Sequence, residues 1–215
     1  MNNPRLLSTA AIALAMAFGT PSPAQANPVQ EPYSDQFNGA FVEYGVRAGL
    51  SALPSSGLSG WSLDAGIRHS FPMYLGDTRL AYRYDNLASD DANVAIHGAG
   101  LTLGIHPLYL ALLSNGFTGH VLASLHLEIG LGAQYALYRA DASPELAESD
   151  LGFAWSLGAG FDLPLFNPNR GYAPWLNVLY RYRGGHLDLA EGPGISLGTH
   201  TAFVGLSWRV NGLLF

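Results

Sequence analysis

Lysine and cysteine are both absent from this chain of 215 residues, and charge of either sign is scarce. Without cysteine there is neither a disulfide framework nor a thiol for lipid attachment. All ten basic residues are arginine. Charged residues make up 12% of the chain, against about 25% in ordinary soluble domains. Leaving out Arg5 gives 9 bases against 16 acids, a net charge of −7. Phosphate binding needs a basic surface, so this balance argues against a nucleic-acid partner. No segment past the first residues approaches about 18 continuous apolar residues, which excludes a helical membrane span.

The opening residues read as a secretory signal. Arg5 gives a short positive start, Leu6–Phe18 is an apolar stretch too short to span a bilayer, and Ala24-Gln25-Ala26 offers a small-x-small cleavage site. The expected division is a signal peptide over 1–26, a short N-terminal segment over 27–37, and one domain over 38–215. The mature part then has 189 residues (215 minus 26), enough for a single domain.

What is abundant is alternation. Over Val121–Leu137 the odd positions are Val, Ala, Leu, Leu, Ile, Leu, Ala, Tyr and Leu, while the even ones include Ser124, His126, Glu128, Gly130, Gly132 and Gln134. A period of two marks a strand whose faces meet different surroundings. The pattern recurs over Ala40–Leu50, Trp61–His69, Thr78–Asp85, Ala95–Ile105, Leu151–Leu163, Pro174–Gly185 and Thr201–Val210. Turn residues separate these segments, as in Pro54-Ser55-Ser56-Gly57 and Asn167-Pro168-Asn169. One connection differs: Pro107–Ser114 reads as a short helix stopped by Asn115-Gly116. So many evenly spaced strands point to a sandwich or a barrel.

Whether the apolar face points outward or into a core is decided by the other face. Solvent-facing strands carry Lys, Glu, Thr and Gln; here arginine alternates with glycine, alanine and serine. Glycine on a solvent face only weakens a strand. Inside a small barrel it makes room for long side chains. Trp61, Tyr84, Tyr135, Phe153, Trp155 and Tyr182 all fall toward one end of an up-and-down barrel, as an aromatic girdle at a lipid interface does. The expected fold is therefore all-β, an eight-stranded antiparallel up-and-down transmembrane barrel.

In this pattern the chain resembles the small eight-stranded outer-membrane barrels of Gram-negative bacteria, the OmpA transmembrane domain and OmpX-like group. The resemblance covers Asn38–Phe215 and implies a periplasmic place for residues 27–37. It also implies a monomer in contact with outer-membrane lipid and lipopolysaccharide, handled by the barrel-assembly machinery. Phe215 is similar to the terminal aromatic of such proteins, although its parity is opposite to that of Trp208 and Val210, and a bulge at Asn211-Gly212 would restore the phase. The turns on the periplasmic side are as long as the outer loops, unlike the group.

The inward positions collect Arg47, Arg68, Arg79, Arg83, Arg181, Arg183 and Arg209 with Glu43, Asp64, Asp85, Glu128 and Asp162. Eight strands leave an interior that side chains fill, and charges buried there must pair. The expected result is an Arg/Asp/Glu network that plugs the lumen, with a structural or surface-interaction role. A narrow porin-like channel or a hydrophobic-solute transporter is the alternative. The remote one is an outer-membrane lipid hydrolase. Ser124, His126 and Glu128 alternate on one face, about 7 Å between successive residues, and are the residue types of an acyl-hydrolase triad. Known outer-membrane lipid hydrolases carry His-x-Ser facing lipid, whereas this chain has Ser-x-His facing the lumen, so no catalysis is expected. The outer loops hold Asp90, Asp91, Asp141, Glu145, Glu148, Asp150, Asp188 and Glu191, read as a solvated acidic rim. His69, His97, His106, His120, His186 and His200 show no ligand spacing and read as interfacial or loop residues, so neither metal nor cofactor is expected.

Overall fold

Residues that alternate small or polar with apolar form strands with two unlike faces. Eight such strands close on themselves in the computed structural model, which describes residues 41–71, 75–90, 92–114, 117–140, 147–166, 172–187, 195–196 and 198–211. They are β1 (Phe41–Leu53), β2 (Leu58–Ser70), β3 (Gly76–Ala88), β4 (Ala92–Ile105), β5 (His126–Ala140), β6 (Ala147–Pro164), β7 (Tyr172–Leu187) and β8 (Thr199–Asn211). Each strand pairs antiparallel with the next, and β8 returns to β1 from Phe41↔Asn211 to Ala52↔His200. Closure removes the edge strands, the standing hazard of an open sheet; among the described residues β6 runs past β7, and residues 147–153 pair with β5 alone. The chain is thus an eight-stranded up-and-down barrel, the architecture the resemblance implies.

Phe41 and Asn211 mark the terminal end of the barrel, and the β1–β2, β3–β4, β5–β6 and β7–β8 hairpins lie at the far end. Pro54–Ser56 makes a single 3-10 turn between β1 and β2. Gly57 ends it at φ 65°, a left-handed conformation that a Cβ would strain. A two-residue ladder, Ile195–Ser196 on His186–Leu187, extends the β7–β8 hairpin.

The outward face is apolar all the way round. Leu50, Ile67, Leu80, Leu101, Leu131, Leu157, Tyr180 and Val204, one from each strand in order, range from 50% exposed at Leu157 to 77% at Leu50. The inward face differs from expectation near the far end. There Leu53, Leu58, Leu87, Val94, Ile96 and Ala136 form a buried apolar cluster inside the barrel, with Tyr138 packed against it. The sequence reading put an Arg/Asp/Glu network in the lumen and did not foresee this apolar layer beside it. Apolar side chains can fill a narrowing space without needing partners, which a charge cannot.

The longest described connection, β4–β5, also departs from the sequence reading. A strand over Val121–Leu137 begins only at His126. Phe117–Ala123 instead form an α-helix, α1, and the Ser124 N–H donates to the His120 carbonyl at 3.0 Å. Alternation at Val121, Ala123 and Leu125 spans too few residues to separate strand from helix. Burial decides: His120 and Ala123, three apart, face inward, while Phe117 and Leu122 face out. The helix expected over Pro107–Ser114 is a 3-10 helix, Tyr109–Ser114. The segments 1–26 and 27–37, the Asn115-Gly116 stop and the tail Gly212–Phe215 lie outside the described residues.

Candidate functional site: a charged lumen

The barrel's inner face arranges its ion pairs in tiers. Nearest the terminal end, Glu43 accepts from Arg68 Nη2 at 2.5 Å and Arg209 Nε at 2.6 Å. Asp162 accepts from Arg68 Nη2 at 2.6 Å, from Arg209, and from Asn177 Nδ2 at 2.7 Å. In the middle, Asp64 accepts from Arg79 Nη1 at 3.1 Å and Arg181 Nη1 at 3.2 Å, while Glu128 accepts Arg181 Nε at 2.6 Å. Toward the far end, Asp85 accepts Arg83 Nε at 2.7 Å, Arg183 Nη2 at 2.6 Å and the Ser62 hydroxyl. Ser51 Oγ lies 2.5 Å from Ser62 Oγ and 2.7 Å from Thr201 Oγ1, and Arg83 Nη2 donates to Thr201 Oγ1 at 2.6 Å.

Two-residue spacing on tilted strands carries these groups to one another, since side chains of like parity all enter the same interior. Arg47 is the exception. It is buried, its Nη1 has no hydrogen-bond partner, and it joins none of the ion pairs among the described residues. Aromatic rings share the interior. The Arg209 guanidinium sits 3.7 Å from the Trp175 ring centroid and 4.5 Å from that of Phe41, and Arg83 and Arg181 lie over Phe203 at 5.2 and 5.8 Å. Such stacking stabilises a desolvated guanidinium that also has a carboxylate.

The helical connection meets the terminal end through polar contacts. His106 Nδ1–H donates to the Ala123 carbonyl at 3.0 Å, and its Nε2 lies 2.7 Å from Asp77 Oδ2. The His120 ring meets Trp175 edge-on at 6.4 Å. Ser124 Oγ accepts the Asp162 N–H at 2.8 Å and lies 2.7 Å from the Asp162 carbonyl. These contacts tie α1 to the ends of β3, β4, β6 and β7.

The same geometry dismantles the catalytic triad. Ser124 Oγ is held by the Asp162 backbone, and His126 Nδ1–H donates to the Ser124 carbonyl at 2.9 Å. Glu128 is engaged with Arg181. No hydroxyl–imidazole–carboxylate relay joins the three residues, because Ser124 precedes β5 and does not share its pleat. A serine held in this way lacks the base that acyl transfer needs.

On the outer face, Trp61 and Tyr84 are tilted at 5.3 Å, and Trp155 and Tyr182 at 5.4 Å. Tyr135 stands opposite His97 in the β4–β5 ladder, and Phe153 opposite Ala133 in the β5–β6 ladder. Two histidines complete these clusters. His97 lies 4.9 Å from Tyr84 and its Nδ1 is 2.6 Å from the Tyr82 hydroxyl; His200 lies 5.0 Å from Tyr182 with Nδ1 2.5 Å from the Tyr180 hydroxyl. Sequence reading counted both among interfacial or loop histidines. Their parity, shared with Tyr135 on β5 and Trp208 on β8, was the available signal. Asp77 and His106 were missed because the strands were ended one residue short of each. Their parity with Arg79 and Gly104 places them inward.

No family model and no curated protein matches the chain. Among solved structures, Neisserial surface protein A is 11% identical with a TM-score of 0.41, the alignment covering 80% of this chain and 96% of that one. The attachment invasion locus protein Ail of Yersinia pestis is 13% identical with a TM-score of 0.43, covering 79% and 96%. OprG, an outer membrane protein of Pseudomonas aeruginosa, is 13% identical with a TM-score of 0.42, covering 81% and 97%. At such scores no property of those proteins is carried over to this chain.

Proposed function

We propose that the protein is an integral outer-membrane barrel with a structural or surface-interaction role, that its lumen is closed to diffusing solutes, and that it catalyses no reaction. The observation that carries this reading is the belt of half-exposed apolar side chains contributed by every strand around a closed sheet. In water such a belt far exceeds the apolar patch a soluble monomer tolerates. Hydrocarbon on the outside and paired charges within remove that penalty.

Closure at both ends supports the sealed lumen: the apolar cluster around Leu87 and Ile96 at one end, α1 and its polar contacts at the other. With all eight strands closed into one sheet, the barrel is complete as a monomer. Its partners are outer-membrane lipid and lipopolysaccharide, reached through export and the barrel-assembly machinery. Of the acidic rim, Asp90 and Asp150 lie among the described residues, and Asp91, Asp141, Glu145, Asp188 and Glu191 lie outside them.

Planar-bilayer recording of the purified protein tests the sealed lumen. The expected trace has no unitary steps, and reproducible steps would overturn the reading. Incubation with lipid A and phospholipids tests the absence of catalysis: both are expected back unchanged. Release of fatty acid that disappears in Ser124→Ala would contradict it.

A further inference from the structure

Charge is not evenly matched along the lumen. The two tiers away from the terminal end hold five buried arginines, Arg47, Arg79, Arg83, Arg181 and Arg183, against three buried carboxylates, Asp64, Asp85 and Glu128. Asp85 serves both Arg83 and Arg183, Asp64 serves Arg79 and Arg181, and Arg47 joins no pair among the described residues. Arg47 Nη1, Arg83 Nη1 and Arg183 Nε, all buried, have no hydrogen-bond partner among the described residues. Arginine does not shed its proton in proteins, so it cannot relieve such an excess by becoming neutral. An uncompensated buried charge is strongly destabilising. Among the described residues these two tiers hold fewer carboxylates than guanidinium groups, an imbalance that an anion from outside the chain would neutralise.

There is space for it beside these arginines. The inner faces of β4 and β5 are stripped to backbone at Gly98, Gly100, Gly130 and Gly132, which line a cavity of about 60 Å³ across from Arg83, Arg181 and Arg183, with the Asp64 carboxylate also on its wall. Gly98 stands directly opposite Arg83 in the β3–β4 ladder, and a Cβ built on it would lie 3.5 Å from Arg183 Nη1. About 10–15 Å³ of such space is enough for one water, so the cavity has room for a small anion together with water.

We infer that the lumen holds a small inorganic anion, a halide or a compact oxoanion, in the glycine-lined cavity between Gly98 and the guanidinium groups of Arg83, Arg181 and Arg183. The anion enters as the barrel closes and serves as a structural counter-ion. This binding site goes beyond the sealed-lumen reading and stands on the barrel's interior alone, so failure of the outer-membrane assignment would leave it intact.

The test is to refold the full chain from urea into detergent micelles in sodium gluconate, chloride, bromide or phosphate at equal ionic strength. Gluconate is too large for the cavity. Above half-saturation the unfolding midpoint is expected to rise by about 3–5 °C for each tenfold increase in the anion that fits. A rise with chloride and bromide assigns a halide site, and a rise with phosphate alone assigns an oxoanion site. Crystals grown in bromide are expected to show an anomalous peak beside Gly98. Gly98→Asp places a tethered carboxylate in the cavity, with only ordinary contacts for its Cβ. Its midpoint in gluconate should equal that of the wild type in the binding salt and should no longer respond to anions. Equal wild-type midpoints in all four salts, no anomalous peak, and a Gly98→Asp protein melting below wild type would overturn the inference. If Gly98→Asp fails to fold, the wild-type salt series and the bromide crystal decide it.

Discussion

The two ends of the lumen are lined by opposite chemistry. At the far end, Leu53, Leu58, Leu87, Val94 and Ile96 meet with no hydrogen bond required of their side chains. At the terminal end, Asp162, Glu43, Asp77, His106 and Ser124 close the barrel through directional contacts with Arg68, Arg209, Asn177 and the α1 connection. An apolar closure depends on volume and tolerates shape-conserving exchange. A polar closure depends on every partner being present, because a single deletion strands a desolvated group. The two ends of one barrel can therefore be unequally fragile.

Deleting the acid at the centre of the polar end should produce the largest effect. Asp162→Ala leaves Arg68, Arg209 and Asn177 each short of a partner. A loss of about 3–5 kcal/mol is expected, measured as reversible unfolding in detergent micelles. A cost below about 1 kcal/mol would erase the contrast between the two ends.

Leu87→Ala, at the apolar end, should cost about 2–5 kcal/mol through the cavity it leaves. Leu87→Met should cost less than about 1.5 kcal/mol, since thioether and isobutyl groups have similar volumes. If the methionine variant proves as damaging as the alanine one, the far end is held by something more directional than packing. Ser124→Ala should sit between those two at the polar end. It removes the acceptor of the Asp162 N–H and is expected to cost about 1–3 kcal/mol. The same variant should leave any lipid substrate untouched, which separates a structural serine from a nucleophile.

The barrel was legible in the sequence because its physical cause is a period of two repeated eight times. One register of alternation settles every strand's faces at once, and closure follows from strand number and the absence of a free edge. What the sequence concealed lay where that period stops or changes meaning. Val94 and Ile96 share the parity of Gly98 and Gly100, so they turn inward. An apolar residue on the lumenal parity gives no local sign of being a lid. At Val121–Leu125, period two and period 3.6 coincide over one turn, and a helix took the place of a strand's beginning. Which carboxylate meets which guanidinium was not readable either. Asp64 stands opposite Arg83 in the β2–β3 ladder yet bonds Arg79 and Arg181. Long side chains choose partners by reach across the lumen and not by ladder position.

The central claim is that the outward face meets hydrocarbon while the inward face is sealed from it. Three tryptophans point outward, Trp61, Trp155 and Trp208, and one, Trp175, is buried beside Arg209. Variants retaining a single tryptophan, reconstituted in bilayers of acyl-chain-brominated phospholipid, report on both faces by fluorescence. The Trp155-only protein should be strongly quenched relative to ordinary lipid, and the Trp175-only protein should be unchanged. Equal emission from Trp155 in brominated and unbrominated bilayers would contradict the account.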